Sequence, residues 1–384
     1  MSPSPGAGFG PLNLLVVQGT PFCNLDCDYC YLPDRGDRTR LSSAVLDAAL
    51  NRVLESPYVQ GPFTLLWHAG EPLALPRSFY DDATARIEAA IARHPERAGL
   101  RIQQCVQTNA TTINREWCDC LKRNNIAVGV SLDGPAFLHD AHRRTRTGLG
   151  SHAATMRGIG WLQREGIPFH VIAVLTSDSL DHPDAIFDFF LEQGITDVGF
   201  NMEETEGANA HSSLSAELEQ RYVAFMQRLW ERNAASGRRL HCREFDGVLA
   251  LAHADARLER TDMNRPFVIV NVDVHGNFTT FDPELLAVNT PEFGDFVFGN
   301  VLTDSLESVV GTEKFQRVAR DMEAGVDLCR STCAYFGLCG GGAGSNKYWE
   351  HGSFAVSETL ACRFRIQRVA DVVLAELERS LQLQ

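Results

Sequence analysis

Polar and apolar positions along this chain fall into a pair of patterns that repeats. Residues 12–17 form a short apolar run, as expected of a strand buried on both faces. Ser42 then caps a predicted helix that runs to about Leu54. The same alternation follows five more times: strands at 63–67, 100–107, 127–132, 169–175 and 197–200, helices at about 79–92, 115–123, 153–164, 183–192 and 217–235. Six strand–helix units in a row predict a parallel sheet with helices outside. Curled, that is an α/β fold of the TIM type, a partial (β/α)6 barrel.

Beyond residue 235 the pattern changes. Residues 267–281 alternate around His275-Gly276-Asn277, a hairpin signal. Amphipathic helices are expected at about 304–310 and 312–322, and a last helix from about Arg365. The expected division is a barrel over 1–235, a bridging segment over 236–265 and a C-terminal domain over 266–384. No internal repeat or low-complexity segment interrupts it.

Composition narrows the classes. With 384 residues, 44% hydrophobic and 22% charged, the chain has an ordinary globular profile with room for a large domain and an appendage. A formal net charge of −14 without a basic stripe argues against nucleic acid as a partner. The short basic cluster Arg143-Arg144-Thr145-Arg146 reads as a local anion contact or a solvated turn. No apolar run approaches the roughly 20 residues that span a bilayer, and residues 1–10 carry no positive n-region, so neither a membrane span nor a secretory signal is expected. The expected location is the cytoplasm, where thiols stay reduced.

There, 11 cysteines argue for metal or catalysis rather than disulfides. Cys23, Cys27 and Cys30 form one group, spaced Cys-x3-Cys-x2-Cys. Three thiolates on one loop can hold three irons of a 4Fe–4S cluster and leave the fourth open to a small molecule. Three buried structural thiols, or part of a zinc site, is the plainer alternative. Cys329, Cys333, Cys339 and Cys362 form a second group, able to close a 4Fe–4S cluster or a zinc site. Cys105, Cys118, Cys120 and Cys242 lack ligand spacing and read as core residues.

In barrels of this kind reactive groups sit at the C-terminal ends of strands. The Cys23–Cys30 loop follows the first strand. Trp67-His68-Ala69-Gly70-Glu71-Pro72, Gln107-Thr108-Asn109 and Ser131-Leu132-Asp133-Gly134 end the next three, and Asn201-Met202-Glu203-Glu204 follows the sixth. Each alone could be a turn; together they mark one rim.

Cys-x3-Cys-x2-Cys with Tyr29 before the last cysteine resembles the radical S-adenosylmethionine (SAM) superfamily, and Ala69-Gly70-Glu71-Pro72 is similar to its Gly-Gly-Glu-Pro motif. Ala in the first place is one methyl larger, and an edge position should tolerate it. The resemblance implies a 4Fe–4S cluster on Cys23, Cys27 and Cys30 with SAM on its open iron. It implies that the backbone at Gly70 and Glu71 receives the SAM amino group, that backbone at Tyr29 meets the adenine, and that Asn109 and Ser131 line the site. His139-Asp140-Ala141-His142-Arg143 is similar to a family pattern whose arginine pairs with the SAM carboxylate, a task suited to a bidentate guanidinium.

Cys329-x3-Cys333-x5-Cys339-Gly340-Gly341-Gly342, with Cys362 beyond, resembles a SPASM-type extension, which carries auxiliary iron–sulfur clusters. Phe281 stands where a cysteine for a further cluster would be, so a single auxiliary 4Fe–4S cluster is expected, on Cys329, Cys333, Cys339 and Cys362. Asp282 takes the place of the aspartate proposed as a proton acceptor in sulfatase maturases; a helix cap before Pro283 is its plainer role.

The run from Gln18 to Pro33, with Cys-Gly-Gly-Gly and Asn346-Lys347, most resembles the cyclophane-forming maturases of glycine-rich-repeat precursor peptides. That resemblance implies an oxidoreductase joining an aromatic side chain to the β-carbon of a nearby residue in a ribosomally made precursor peptide. It also implies a flavodoxin or ferredoxin-type electron donor. Only 22 residues precede Cys23, too few for a separate leader-binding domain. Thioether formation and sulfatase-type oxidation of Cys or Ser are the rival reactions. A zinc-stabilised peptide-binding scaffold is the rival without catalysis.

Overall fold

The computed structural model of the chain describes residues 8–286 and 288–382. Residues 1–7, most of the segment that lacks a positive n-region, lie outside the described residues. Six parallel strands run in sequence order, β1 (Leu14–Val17), β2 (Phe63–Trp67), β3 (Ile102–Thr108), β4 (Ile126–Ser131), β5 (Phe169–Leu175) and β6 (Asp197–Met202). The helices between and after them include α1 (Ser43–Glu55), α2 (Arg77–Arg93), α3 (Arg115–Arg123), α4 (Ala136–His142), α5 (His152–Arg164), α6 (Pro183–Glu192) and α7 (Glu219–Ala235). This is the expected (β/α)6 arrangement. Ser42 caps α1 as predicted, its side chain accepting from the Val45 amide at 3.2 Å.

The sheet does not stop at six strands. β7 (His241–Cys242) adds to β6, and α8 (Arg243–Ala254) follows it. Both fall in the stretch read only as a bridge. The hairpin of β8 (Ile269–Val272) and β9 (Asn277–Thr280) joins the other edge, with β8 parallel to β1 and Val17 beside Val272. β10 (Asn289–Thr290) and β11 (Gly294–Asp295) form a separate pair, while β12 (Gly299–Asn300) extends the main sheet beyond β9. The hairpin turn is held by Asp273, whose Oδ1 accepts the amides of His275 and Asn277 at 2.8 and 2.9 Å.

Three C-terminal expectations change. The helix placed at 304–310 is a single 3-10 turn, Ser308–Gly311. Asp304 folds back to accept the Asn300 amide at 2.8 Å and so closes a turn instead of starting a helix. The next helix, α9 (Glu313–Thr332), ends ten residues later than expected and carries Cys329 in its last turn. After α10 (Phe336–Cys339), α11 (Gly344–His351) and α12 (Leu360–Cys362), a π-helical stretch, Arg363–Arg368, precedes α13 (Val369–Gln382), later than the predicted start. Phe281, Leu285, Phe296, Tyr348 and Phe354 pack into a small core of their own. Among the described residues no helix is long and apolar enough to cross a membrane.

Candidate active site

The Cys23–Cys30 loop is clipped to its neighbours through backbone. Cys23 donates its amide to Arg35 O at 3.0 Å, and Asp26 donates to Arg144 O at 2.7 Å. Arg35 Nη1 reaches Cys27 O at 2.8 Å, and Arg146 Nη1 reaches Cys23 O at 3.0 Å. The basic cluster therefore works as a clamp on the cysteine loop. It orients three thiols toward a cavity of about 250 Å³ at the C-terminal ends of the strands. Tyr29, Gly70, Glu71, Asn109, Ser131 and Arg143 line the same cavity.

Each rim motif has a physical reason for its residues. Gly70 has φ +124°, and a Cβ there would lie 2.1 Å from Thr20 O, so only glycine fits. Ala69 is not at an edge: it is buried, with φ +64°, a left-handed conformation that costs alanine about 1–2 kcal/mol. Gln18 holds it, donating to Ala69 O at 3.0 Å. Glu71 is buried, and its carboxylate accepts from Leu73 N (2.9 Å), Thr108 Oγ1 (2.6 Å) and Asn109 N (2.8 Å). It ties the rim of β2 to that of β3. Asn109 in turn donates to Asn24 Oδ1 at 2.8 Å, bracing the cysteine loop. Ser131 Oγ accepts from Gln107 Nε2 at 3.0 Å.

Arg143 sits at the end of α4 and is 8% exposed. Its Nε donates to Asp133 Oδ2 at 2.9 Å, and the Tyr29 hydroxyl donates to the same oxygen. Asp133 Oδ1 accepts the Val174 amide at 2.9 Å. Burial pushes the Asp133 carboxyl up, but Arg143, His139 and the hydrogen bonds outweigh it and hold it below the usual carboxylate range. Asp133 is a site residue that the sequence places within a rim motif but gives no role. Its signal was its position two residues past Ser131 on the rim of β4.

Asp282 lies elsewhere than a cavity wall. It is fully buried, Oδ2 accepts the Ser345 amide at 2.6 Å, and Oδ1 has no partner. Its side chain does not cap the short turn at Pro283; it anchors the N-terminus of α11, where free amides favour a carboxylate. Besides Glu71, four other acids do line the cavity, Glu203, Glu204, Glu206 and Glu284. Glu206 follows a rim motif by two residues; Glu284 carries no sequence signal.

The second cysteine group also comes together. Cys329, Cys333, Cys339 and Cys362 line one narrow cavity of about 20 Å³. The glycines after Cys339 have positive φ, and a Cβ on Gly340 would lie 2.5 Å from the Arg260 backbone. Lys347, 4% exposed, places Nζ 3.3 Å from Cys329 Sγ. Cys105, Cys118, Cys120 and Cys242 lie away from both cavities, the last three buried in the core.

Both thiol sets suit iron–sulfur clusters. Among the described residues no group of three or more His, Cys, Asp or Glu closes on a single ion. The thiols instead surround a cavity, as a cubane requires. Burial pushes Cys23 up to about 12 and Cys27 and Cys362 to about 11, so iron binding must drive off their protons.

Residues 17–190 match the model of the radical SAM superfamily, and the chain belongs to that superfamily. It therefore takes a 4Fe–4S cluster and SAM, for which Cys23, Cys27 and Cys30 are the fitting thiols. The chain is 56% identical over 376 residues to "uncharacterized protein sll1766" of Synechocystis sp., covering 98% of this chain and 94% of that one. A serine-type anaerobic sulfatase-maturating enzyme of Bacteroides thetaiotaomicron is 33% identical over 189 residues, 47% of this chain and 44% of that enzyme. The solved structure "native anSMEcpe with bound AdoMet and Cp18Cys peptide" superposes with a TM-score of 0.75 at 21% identity, covering 96% of this chain and 98% of that one. That last likeness is one of fold.

Proposed function

We propose that this radical SAM enzyme modifies a ribosomally made precursor peptide, closing a cyclophane by a carbon–carbon bond between an aromatic side chain and the β-carbon of a residue two places on. The observation that carries the reading is the one cavity that joins three free thiols to a wall of polar rim residues, in a chain similar to enzymes that act on proteins. When bound, the clusters and SAM supply electron transfer and a 5′-deoxyadenosyl radical that removes hydrogen from carbon.

The residues of the chain do the rest. Tyr29, Gly70, Asn109, Ser131 and Arg143 hold SAM, with Arg143 offering its terminal nitrogens to the carboxylate. Glu71 and Asp133 fix Asn109 and Arg143 from behind. Asp282, which lies behind the cavity wall, receives through its neighbour Glu284 on that wall the proton that the aromatic ring loses when the new bond forms; its free Oδ1, and a pKa that burial and Glu284 push well up, suit it to hold one. The substrate thus loses two hydrogens, one as an atom and one as a proton with its electron.

Cys329, Cys333, Cys339 and Cys362 would hold the auxiliary cluster, the outlet for that electron. Phe281 fills the neighbouring position with an aromatic core, which favours two clusters in all. In this scheme 1–235 is the radical SAM part, 236–265 the bridge and 266–384 the auxiliary part. A flavodoxin or ferredoxin-type protein in the cytoplasm supplies the first electron. Sulfatase-type oxidation is the second reading, favoured by the similarity to a sulfatase-maturating enzyme.

The test is co-expression with short peptides encoded beside the gene, followed by tandem mass spectrometry. Loss of two hydrogens with no fragmentation between an aromatic residue and the second residue after it is expected. A new aldehyde on Cys or Ser would select the second reading, and unmodified peptides throughout would refute both.

A further inference from the structure

The cavity has two chemically different ends. One carries the three thiols. The other carries carboxylates from two distant segments, Glu203, Glu204 and Glu206 after β6 and Glu284 after β9; Glu203 is bonded to Ser213. Only Glu204 has a charged partner, Arg365 at 3.1 Å. Glu206 uses Oε1 to accept from Ser345 Oγ at 3.1 Å and Asn346 Nδ2 at 2.7 Å, and its other oxygen has no bond among the described residues. Glu284 Oε2 is buried with no partner at all. The Tyr31 hydroxyl, which lines the same wall, is also buried and unpartnered. Behind them Asp282 keeps Oδ1 unpartnered.

Buried polar groups are normally paired, and an orphan costs about 1–3 kcal/mol. Here Glu206, Glu284 and Tyr31 leave polar atoms open on one wall of a cavity large enough for a side chain. What Glu284 Oε2 and the second Glu206 oxygen lack is a donor, and the cation near them, Arg365, is paired with Glu204. Burial, with repulsion from Glu204, raises the pKa values of Glu206 and Glu284, and Arg365, spent in an ion pair on Glu204, offsets this only in part. An ammonium brings three donors and a guanidinium five. Either would satisfy the open oxygens and relieve the repulsion.

Resting on the peptide-substrate reading above, we infer that Glu206, Glu284 and Tyr31 form a subsite for the cationic side chain of a lysine or arginine in the substrate peptide. Such a contact fixes one side chain on the acid wall and so sets which carbon faces the thiols. Glu284 and Glu206 are specificity residues in this assignment. Glu204, already neutralised by Arg365, is not.

The test compares two synthetic peptides, Ac-Gly-Phe-Gly-Lys-Gly-NH2 and the same peptide with norleucine for lysine. Binding to the reconstituted holoenzyme is measured calorimetrically with SAM saturating, so that the SAM ammonium cannot compete for the wall. The lysine peptide should bind at least tenfold more tightly than the norleucine peptide. Glu206→Gln and Glu284→Gln should each shrink that preference severalfold, with iron content and melting temperature checking that the variants fold. The wild-type comparison needs no variant. Equal binding of both peptides would overturn the cationic subsite and leave the peptide reading standing, since the acids would then serve as neutral donors to any peptide. Binding of neither peptide would count against both. A preference for lysine that survives both substitutions would overturn the assignment to this wall.

Discussion

Arg143→Lys should separate recognition of the SAM carboxylate from recognition of the rest of the molecule. Arg143 is buried and already spends Nε on Asp133 at 2.9 Å. Its terminal nitrogens have no hydrogen-bond partner among the described residues, and Arg143 belongs to the cavity lining. Lysine keeps the charge but offers a single ammonium on a different stem. It cannot hold Asp133 in the present geometry and also present a fork to a ligand, so at least one charge-assisted hydrogen bond is lost. Such a bond is worth about 1.5–3 kcal/mol, or roughly a 10- to 150-fold weaker Kd for SAM.

The assay is equilibrium dialysis of anaerobically reconstituted enzyme against SAM and against decarboxylated SAM, which keeps the sulfonium and amine. Wild type should prefer SAM strongly; Arg143→Lys should erase most of that preference while changing the affinity for decarboxylated SAM little. Asp133→Asn provides the contrast. It strands a buried guanidinium and should destabilise the whole protein by about 3–5 kcal/mol. An Arg143→Lys variant that loses affinity for both ligands equally, or for neither, would refute the carboxylate role.

Four further outcomes follow from particular contacts. Gly70→Ala should abolish SAM binding, because its Cβ would meet Thr20 O at 2.1 Å and no side-chain movement relieves a backbone clash. Ala69→Gly should raise the urea midpoint by an amount equivalent to about 0.5–1 kcal/mol, the left-handed cost at φ +64° less the extra entropy glycine loses. Lys347→Met removes the cation 3.3 Å from Cys329 Sγ and should lower the potential of the proposed auxiliary cluster by about 50–100 mV in a titration followed by electron paramagnetic resonance; an unchanged potential would refute the contact's role. Burial raises Glu284 to about 7, so its protonated form is favoured in the fold. The stability this gives is full below the ordinary glutamate pKa and is lost as pH rises through 7. Glu284→Gln should therefore stabilise the protein relative to wild type, by a margin that grows by about 1 kcal/mol between pH 6 and pH 8 in melting measurements.

The barrel was legible because each of its strands is an apolar run with a helix signal behind it, and local pattern suffices for a βα unit. The thiol loop and its rim were legible because ligand spacing and strand ends are both one-dimensional. What escaped has a physical reason in each case. α8 was readable, since Phe245, Val248 and Leu249 stand at helical spacing, but it begins directly after a strand of two residues that gives no period. Pairing of β8 with β1 joins residues some 250 apart, and nothing local in either strand names its partner. Asp304 shows the opposite error: an acid before an apolar stretch resembles a helix start, yet its carboxylate closes a turn on Asn300. The acid wall was hidden for the same reason as the β8 pairing, because Glu206 and Glu284 meet only when the hairpin adds to the barrel.

One turn of α11 explains why the two cavities belong to one machine. Ser345 donates its amide to Asp282 and its hydroxyl to Glu206; Asn346 donates to the same Glu206 oxygen; Lys347 turns the other way, to Cys329. Successive helical residues point about 100° apart, so three in a row can reach two opposite sites. The helix begins directly after Gly340-Gly341-Gly342, whose left-handed backbone is fixed by Asn264 donating to Gly340 O at 2.8 Å and Gly342 O at 3.0 Å. Thiols placed by that turn therefore determine where α11 starts, and the start of α11 determines where Glu206 and Asp282 are held. The Cys-Gly-Gly-Gly and Asn-Lys signatures, which look like separate motifs in sequence, are the two ends of that single connection.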